Sequence, residues 1–376
     1  MMGKSISVRT DAWFQRSVPR LPGVVSGKSF ALWRCVLFAR EMRIVRLDPA
    51  DVDAARACHD VHVAAQSADD PAEPPQSLQV FSAWLRTGWG GNPGEVWFVP
   101  GESDGDAVAW YRIELPDLEN RDRAFAAPVV HPASRRRGIG SELLRHAAER
   151  ARENDRTALD TVTLQNSAGE AFARHAGFTP GLEEARRVLD LRKVPAGHFA
   201  RLREAAAGKA AGYTLVSWTG VTPDEYLGRV AGTFNAMNDA PRDEGWEEDI
   251  WDDQRVRERA DGILRFTDVR GYSVAVLHDA TGEMAALTQV EIDPEIPGWG
   301  YQGLTAVTRP HRGHRLGLLT KAAMLQWLAE AEPKVERIVT GNAASNKHMI
   351  AVNETLGFEL LEPGWQFHQI PVSDVR

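Results

Sequence analysis

Three consecutive arginines, Arg135, Arg136 and Arg137, followed by Gly138 and Gly140, bring phosphate chemistry to one short stretch. Guanidinium groups suit phosphate oxygens because their donors form a planar fork. Glycines let the backbone come close to an anion, and the unpaired N–H groups of a helix start point toward it. Two elements must hold such a stretch in place. Val129-Val130, closed by His131-Pro132, reads as the end of a strand. Leu143, Leu144, Ala147, Ala148 and Ala151 recur at the spacing of one helix face. The Gly-Lys-Ser/Thr ending of a nucleotide-triphosphate loop is missing, and Leu143 stands where a dinucleotide fingerprint needs a small residue. An ordinary basic helix cap is the competing reading.

A second copy weighs against that alternative. Thr305 to Gly317 again runs strand end, basic glycine loop, helix, with Arg312 placed 177 residues after Arg135. Val130 and Val307, and Glu114 and Glu291, keep the same offset. Asn166 matches Asn346, and Gly177-Phe178 matches Gly357-Phe358, at an offset of 180. The chain reads as a duplicated domain.

Arg135-x-x-Gly138-x-Gly140 with Asn166 and Gly177-Phe178 resembles the GNAT superfamily of acyl-CoA-dependent N-acyltransferases, and Arg312 to Gly317 with Asn346 and Gly357-Phe358 looks like a second such domain. The resemblance covers nearly all of the chain from Met42 onward. It implies an α/β (α+β) fold of two tandem domains, each with a mixed, mostly antiparallel central sheet flanked by helices and splayed where the cofactor enters. It further implies acetyl-CoA as co-substrate, direct attack of an amine of a small molecule on the thioester, and no metal. The expected acetyl-CoA contacts are Val130, Arg135, Arg136, Arg137, Gly138, Ile139, Gly140 and Asn166, with Val307, Arg312, Gly313, His314, Arg315, Leu316, Gly317 and Asn346 in the second copy. A backbone N–H near Val130 or Val307 is the expected oxyanion donor.

Glu114 and Glu291, at equivalent positions on the second strand of a hairpin, are the candidate bases; a solvated strand carboxylate is the bland alternative. The sequence departs from the family where a tyrosine commonly protonates the leaving thiolate, since Ala173 and Asn353 stand there. Arg315 replaces the first glycine of the second loop, which a helical backbone would tolerate. His131, His175, His314 and His348 share no spacing and read as loop or surface histidines. A non-catalytic acyl-CoA-binding scaffold or sensor, and a protein N-acetyltransferase, are the other functional readings.

Composition sets the frame. A chain of 376 residues with 43% hydrophobic residues can fill two cores. The formal charge of −8 argues against nucleic acid or an anionic membrane as main partner. Two cysteines, Cys35 and Cys58, offer neither a disulfide framework nor metal-ligand spacing, which suits a reducing cytoplasm. Residues 1–41 carry seven Lys/Arg against Asp11 and Glu41 and read as a disordered extension. The first domain is then expected over 42–194, an alanine-rich helical linker over 195–211, and the second domain over 212–376. A monomer is expected, because one chain already supplies both domains.

Asp48-Pro49 and the capping box Thr222-Pro223-Asp224-Glu225 mark the start of the first helix in each half. Between Asn238 and Asp253, carboxylates including Asp239, Asp243, Glu244, Glu247, Glu248 and Asp249 surround Trp246 and Trp251. An acidic, aromatic rim of this kind would attract a cationic acceptor, with Trp246, Glu247 and Trp251 binding it. A solvated charge run with inward-packed tryptophans is the competing reading. The rim, and analogy with a two-domain member of the superfamily, place the chemistry in the second domain.

Overall fold

The computed structural model describes residues 42–88, 92, 94–103, 105–243 and 245–376. The expectations for residues 1–41, with Cys35, and for Glu244 fall outside them. In the first half, β1 (Val45–Leu47), α1 (Val52–Asp69), α2 (Leu78–Thr87), β2 (Gly94–Pro100), β3 (Ala107–Glu114), β4 (Arg123–Ala126) and β5 (Val129–Val130) lead to the first loop; α3 (Ile139–Glu153), β6 (Ala158–Leu164), α4 (Ala168–His175) and β7 (Thr179–Asp190) follow. After α5 (His198–Ala207) the order restarts with β8 (Tyr213–Thr219), α6 (Leu227–Asn235), α7 (Gly262–Phe266), β9 (Arg270–His278), β10 (Met284–Ile292) and β11 (Trp299–Val307). The second loop, α8 (Leu316–Ala331), β12 (Arg337–Ala343), α9 (Lys347–Leu356) and β13 (Glu359–Pro371) complete it.

The helices behind the two loops bury the residues that define them. α3 turns Leu143, Leu144, Ala147, Ala148 and Ala151 inward, one stripe of an amphipathic helix. α8 is apolar on nearly all sides, and it lies between the sheet and α5, which needs apolar residues on both faces. The capping box expected at Thr222 does not form. Its backbone N–H and its hydroxyl both donate to the buried Asp261 carboxylate, at 2.9 and 3.2 Å, because that carboxylate would otherwise lack donors. Leu227 instead begins α6 after a short 3-10 turn.

The strands form one 13-stranded sheet in the order β1-β2-β3-β4-β6-β13-β7-β12-β11-β10-β9-β8, with β5 on β3. All pairings are antiparallel except β4 with β6 and β11 with β12. Each half gives its last strand to the other. β13 lies on β6 from Trp365 opposite Leu164 to Pro371 opposite Ala158. β7 lies on β12 from Asp190 opposite Arg337 to Glu184 opposite Ala343. Leu189 of β7 consequently packs with Val290, Ile292, Ile338 and Phe358 in the second half's core. The first half's core gathers Leu47, Cys58, Val61, Phe81 and Trp110. Residues 43–376 make one compact unit.

Candidate active site

Each loop is held by an arginine brace. Arg135 Nε donates to the Val130 carbonyl oxygen at 3.1 Å, and its two terminal nitrogens donate to the Asp69 carboxylate at 2.7 Å each. Arg312 Nε donates to the Val307 carbonyl oxygen at 3.2 Å, and its Nη2 donates to Asp239 at 2.7 Å. Asp239 also pairs with Arg309. These two guanidinium groups were expected on phosphate; the geometry commits them to aspartates at or just beyond the end of the first helix of each half. Arg136 and Arg137 are exposed beside the first loop.

Two residues in each loop take a left-handed backbone, and the residue types are interchanged. Arg136 has φ 63° and Gly138 81°; Gly313 has φ 88° and Arg315 58°. Arg315 therefore does not have the helical backbone expected of it. A left-handed turn is required at that point, and arginine adopts it at a steric cost that Gly138 avoids. Gly138 and Arg315 directly precede α3 and α8, and neither helix has a side-chain cap, so the first-turn N–H groups of Ile139, Gly140, Leu316 and Gly317 have no intrahelical acceptor. A Cβ on Gly138 or Gly313 would meet nothing within 4 Å, which leaves the approach to those N–H groups open. Gly140 and Gly317 lie close against the side chains of Val130 and Val307 instead.

Beside each loop the sheet opens. β4 runs along β6 only from Arg123 opposite Ala158 to Phe125 opposite Asp160. β11 runs along β12 only from Trp299 opposite Arg337 to Tyr301 opposite Val339. The loop-bearing strand then continues on its other neighbour. The His131 N–H donates to the Val108 carbonyl at 2.9 Å and the Thr308 N–H to the Ala285 carbonyl at 3.0 Å. Antiparallel ladders alternate, so Val130 opposite Ala109, and Val307 opposite Ala286, turn their N–H and C=O groups away from that neighbour and into the opening. The braces take the carbonyls, and the N–H groups face the gap.

Glu114 lies opposite Phe125 and Glu291 opposite Tyr301, so both carboxylates sit where the parallel pairing ends. Their surroundings differ. Glu114 is buried 3.3 Å from the Arg112 guanidinium, which Trp84 and Asn92 carbonyls fix in place. Burial pushes the Glu291 carboxyl above the usual carboxylate range, and the nearby Asp261 carboxylate adds to the effect. A carboxyl that holds its proton nearer neutrality is better matched to taking one from an amine and releasing it to solvent. Asp261 had no sequence signal, and the signal at Thr222 was that of a helix cap, whereas its donors serve Asp261. Asp239 had one, as a member of the acidic run, while Asp69 is the last residue of α1.

Other expected positions are used differently. Asn346 caps α9, accepting from the Met349 N–H at 3.2 Å, whereas Asn166 is an exposed left-handed residue and Ser167 caps α4. Ala173 and Asn353 are buried; the Asn353 side-chain amide donates to Asn342 at 2.7 Å. His314 is exposed, 5.3 Å from the Tyr213 ring. The acidic, aromatic rim is taken up in contacts of its own. Trp246 covers the Arg123 guanidinium at 5.1 Å. Glu247 exchanges two hydrogen bonds with Asn120, at 2.6 and 2.8 Å. Trp251 packs 4.4 Å from the Phe234 ring and 4.5 Å from the Arg255 guanidinium. Trp246 and Glu247 thus dock the 238–253 segment onto the first half, and Trp251 packs within the second, so these contacts do not support the acceptor-binding expectation for them.

A splayed mixed sheet with an uncapped helix start beside the opening, present twice, defines a tandem acyltransferase architecture. The chain belongs to the GNAT family of acetyltransferases, in a tandem arrangement, and is an N-acetyltransferase. A family profile described as "Acetyltransferase (GNAT) family" matches residues 58–178. A tandem GNAT protein from the clavulanic acid biosynthesis pathway is 30% identical with a TM-score of 0.71, over 88% of this chain and 99% of that one. Mycothiol acetyltransferase from Mycolicibacterium smegmatis is 26% identical over 265 residues, 69% of this chain and 79% of the relative. A GCN5-related N-acetyltransferase from Sphaerobacter thermophilus, 18% identical with a TM-score of 0.58 over 88% of this chain and 96% of that one, shares the fold. Among the described residues no helix is long and apolar enough to cross a membrane.

Proposed function

We propose that the protein moves an acetyl group from acetyl-CoA to a primary amine of a small molecule, with both loops cradling CoA and the chemistry in the second half. The observation that carries this reading is the contrast between Glu291, desolvated beside Asp261, and Glu114, paired with Arg112. The uncapped starts of α3 and α8 suit a pyrophosphate, which the loop N–H groups and the helix dipole would stabilise. The solved tandem relative carries "without AcCoA" in its description, which points to the same co-substrate. We place the domain limits at 42–194 and 212–376, a division that the restart of the element order at β8 supports.

In this reading the amine nitrogen attacks the thioester carbonyl carbon while the Val307 N–H receives the developing oxyanion. Glu291 accepts the proton that the nitrogen sheds, and the C–S bond then breaks. A thiol is acidic enough, near the free cysteine value of about 8.5, for the thiolate to leave with little help from an acid. The absence of tyrosine at Ala173 and Asn353 is compatible with that. Thiol release from acetyl-CoA against a panel of small primary amines and amino-terminal peptides tests the proposal. CoA release matched one to one by an acetylated small amine is expected. Acetylation of peptides alone would shift the acceptor class, and tight CoA binding with no turnover on any amine would make the chain a binding protein.

A further inference from the structure

Three residues from separate parts of the second half meet beside its loop. His278 ends β9, Glu283 lies just before β10, and His311 sits in the loop between β11 and α8. One ligand atom from each lies within 4.8 Å of the other two. Spacing in the sequence gave no hint of this, because the contributions come from a hairpin turn and a loop. The surroundings select which ring nitrogen is available. His311 Nδ1 is 3.0 Å from the Tyr213 hydroxyl, and His278 Nδ1 is 3.0 Å from the Thr281 hydroxyl. With both Nδ1 atoms donating to hydroxyl oxygens, both Nε2 lone pairs are free to act as ligands. His311 Nε2 is already 3.3 Å from Glu283 Oε2, a carboxylate that the Thr281 hydroxyl holds by donating at 3.1 Å. The His278 and His311 ring centres are 5.0 Å apart.

We infer that His278, Glu283 and His311 form a binding site for a divalent zinc-class cation that ties the β9–β10 turn to the second loop. Two imidazoles and one carboxylate suit a borderline metal, with water in the fourth position. Ligand atoms around tetrahedral zinc lie about 3.3–3.5 Å apart, so the observed spacing needs only a small closure, in which the exposed Glu283 and the half-buried His278 move toward the buried His311. His311 belongs to the loop that Arg312 braces. Metal binding therefore stiffens that loop and raises acetyl-CoA affinity at the second cradle, a consequence that rests on the proposed use of the loop, whereas the metal site itself does not.

Zinc chloride titrated into tag-free, chelator-treated full-length protein without CoA, followed by calorimetry and a melting curve, tests the site. One equivalent bound with micromolar or tighter affinity, and a rise in Tm, are expected. His278→Ala and Glu283→Gln, both near the turn surface and safe for folding, should each weaken binding roughly tenfold or more. His348→Ala, remote on α9, should not change it. Non-saturating binding, or equal affinity in wild type, His278→Ala and Glu283→Gln, overturns the site. In a second arm, zinc should tighten acetyl-CoA binding several-fold in wild type and not in His278→Ala. Zinc bound with CoA affinity unmoved overturns the coupling, while zinc bound by a chain that takes no acetyl-CoA sinks the functional reading and leaves the site standing.

Discussion

Lys321 shows how far one side chain can depart from its partner in the repeat. It is buried in α8 with its ammonium 5.0 Å from the Phe358 ring, where Leu144 occupies the matching place in α3. Burial pushes its pKa down to about 7 from 10.5. Between those two values the unfolded chain binds a proton that the folded chain lacks, so stability rises with pH across that window. Lys321→Met, which keeps the volume and drops the charge, should raise stability by roughly 2 kcal/mol or more at pH 7 and flatten its rise toward pH 10; urea melts at several pH values measure this. Gly138 invites a different test. Gly138→Asp forces a side chain onto a left-handed backbone and sets a carboxylate at the first cradle. CoA titration should then find one site fewer than in wild type, with the second unchanged, and equal stoichiometry would remove the first loop from the account.

At the scale of elements, most of the scaffold was legible. The strand ends, the helix faces behind the loops and the hairpins follow from periodicity and turn residues, and the repeat gave the loop pairing. The exchange of β7 and β13 was not legible, because strand patterning specifies which face is buried and not which neighbour is paired. Leu189 reads as an inward residue in either case; only the structure places it in the other half's core. Leu189→Ala should cost about 2–5 kcal/mol by leaving a cavity there, and melts followed by tryptophan fluorescence and far-UV dichroism should still coincide. Charge density misled in the 238–253 segment for a related reason: composition cannot tell a carboxylate that greets a ligand from one that docks its own chain. Glu247 bonds Asn120, so Glu247→Ala should lower Tm while leaving KM for a cationic acceptor unchanged at low salt. A rise in KM there would restore the rim.

The whole molecule is a duplicated sheet that has kept its symmetry of form while the surroundings of its two candidate bases differ. Gly177 lies against Ile370 of the other half's strand as Gly357 lies against Leu189. Both openings, both braces and both helix starts survive, yet one carboxylate is paired with an arginine and the other is desolvated beside an aspartate. In the proposed reading that asymmetry assigns the chemistry to the second half. The measurement that tests it most directly is acetyl-CoA turnover, on the best amine found, by Glu291→Gln and Glu114→Gln proteins confirmed folded by circular dichroism. The account predicts a kcat loss of roughly 10²- to 10⁴-fold for Glu291→Gln at unchanged acetyl-CoA affinity, with Glu114→Gln close to wild type. Full turnover by Glu291→Gln together with a collapse in Glu114→Gln would contradict it.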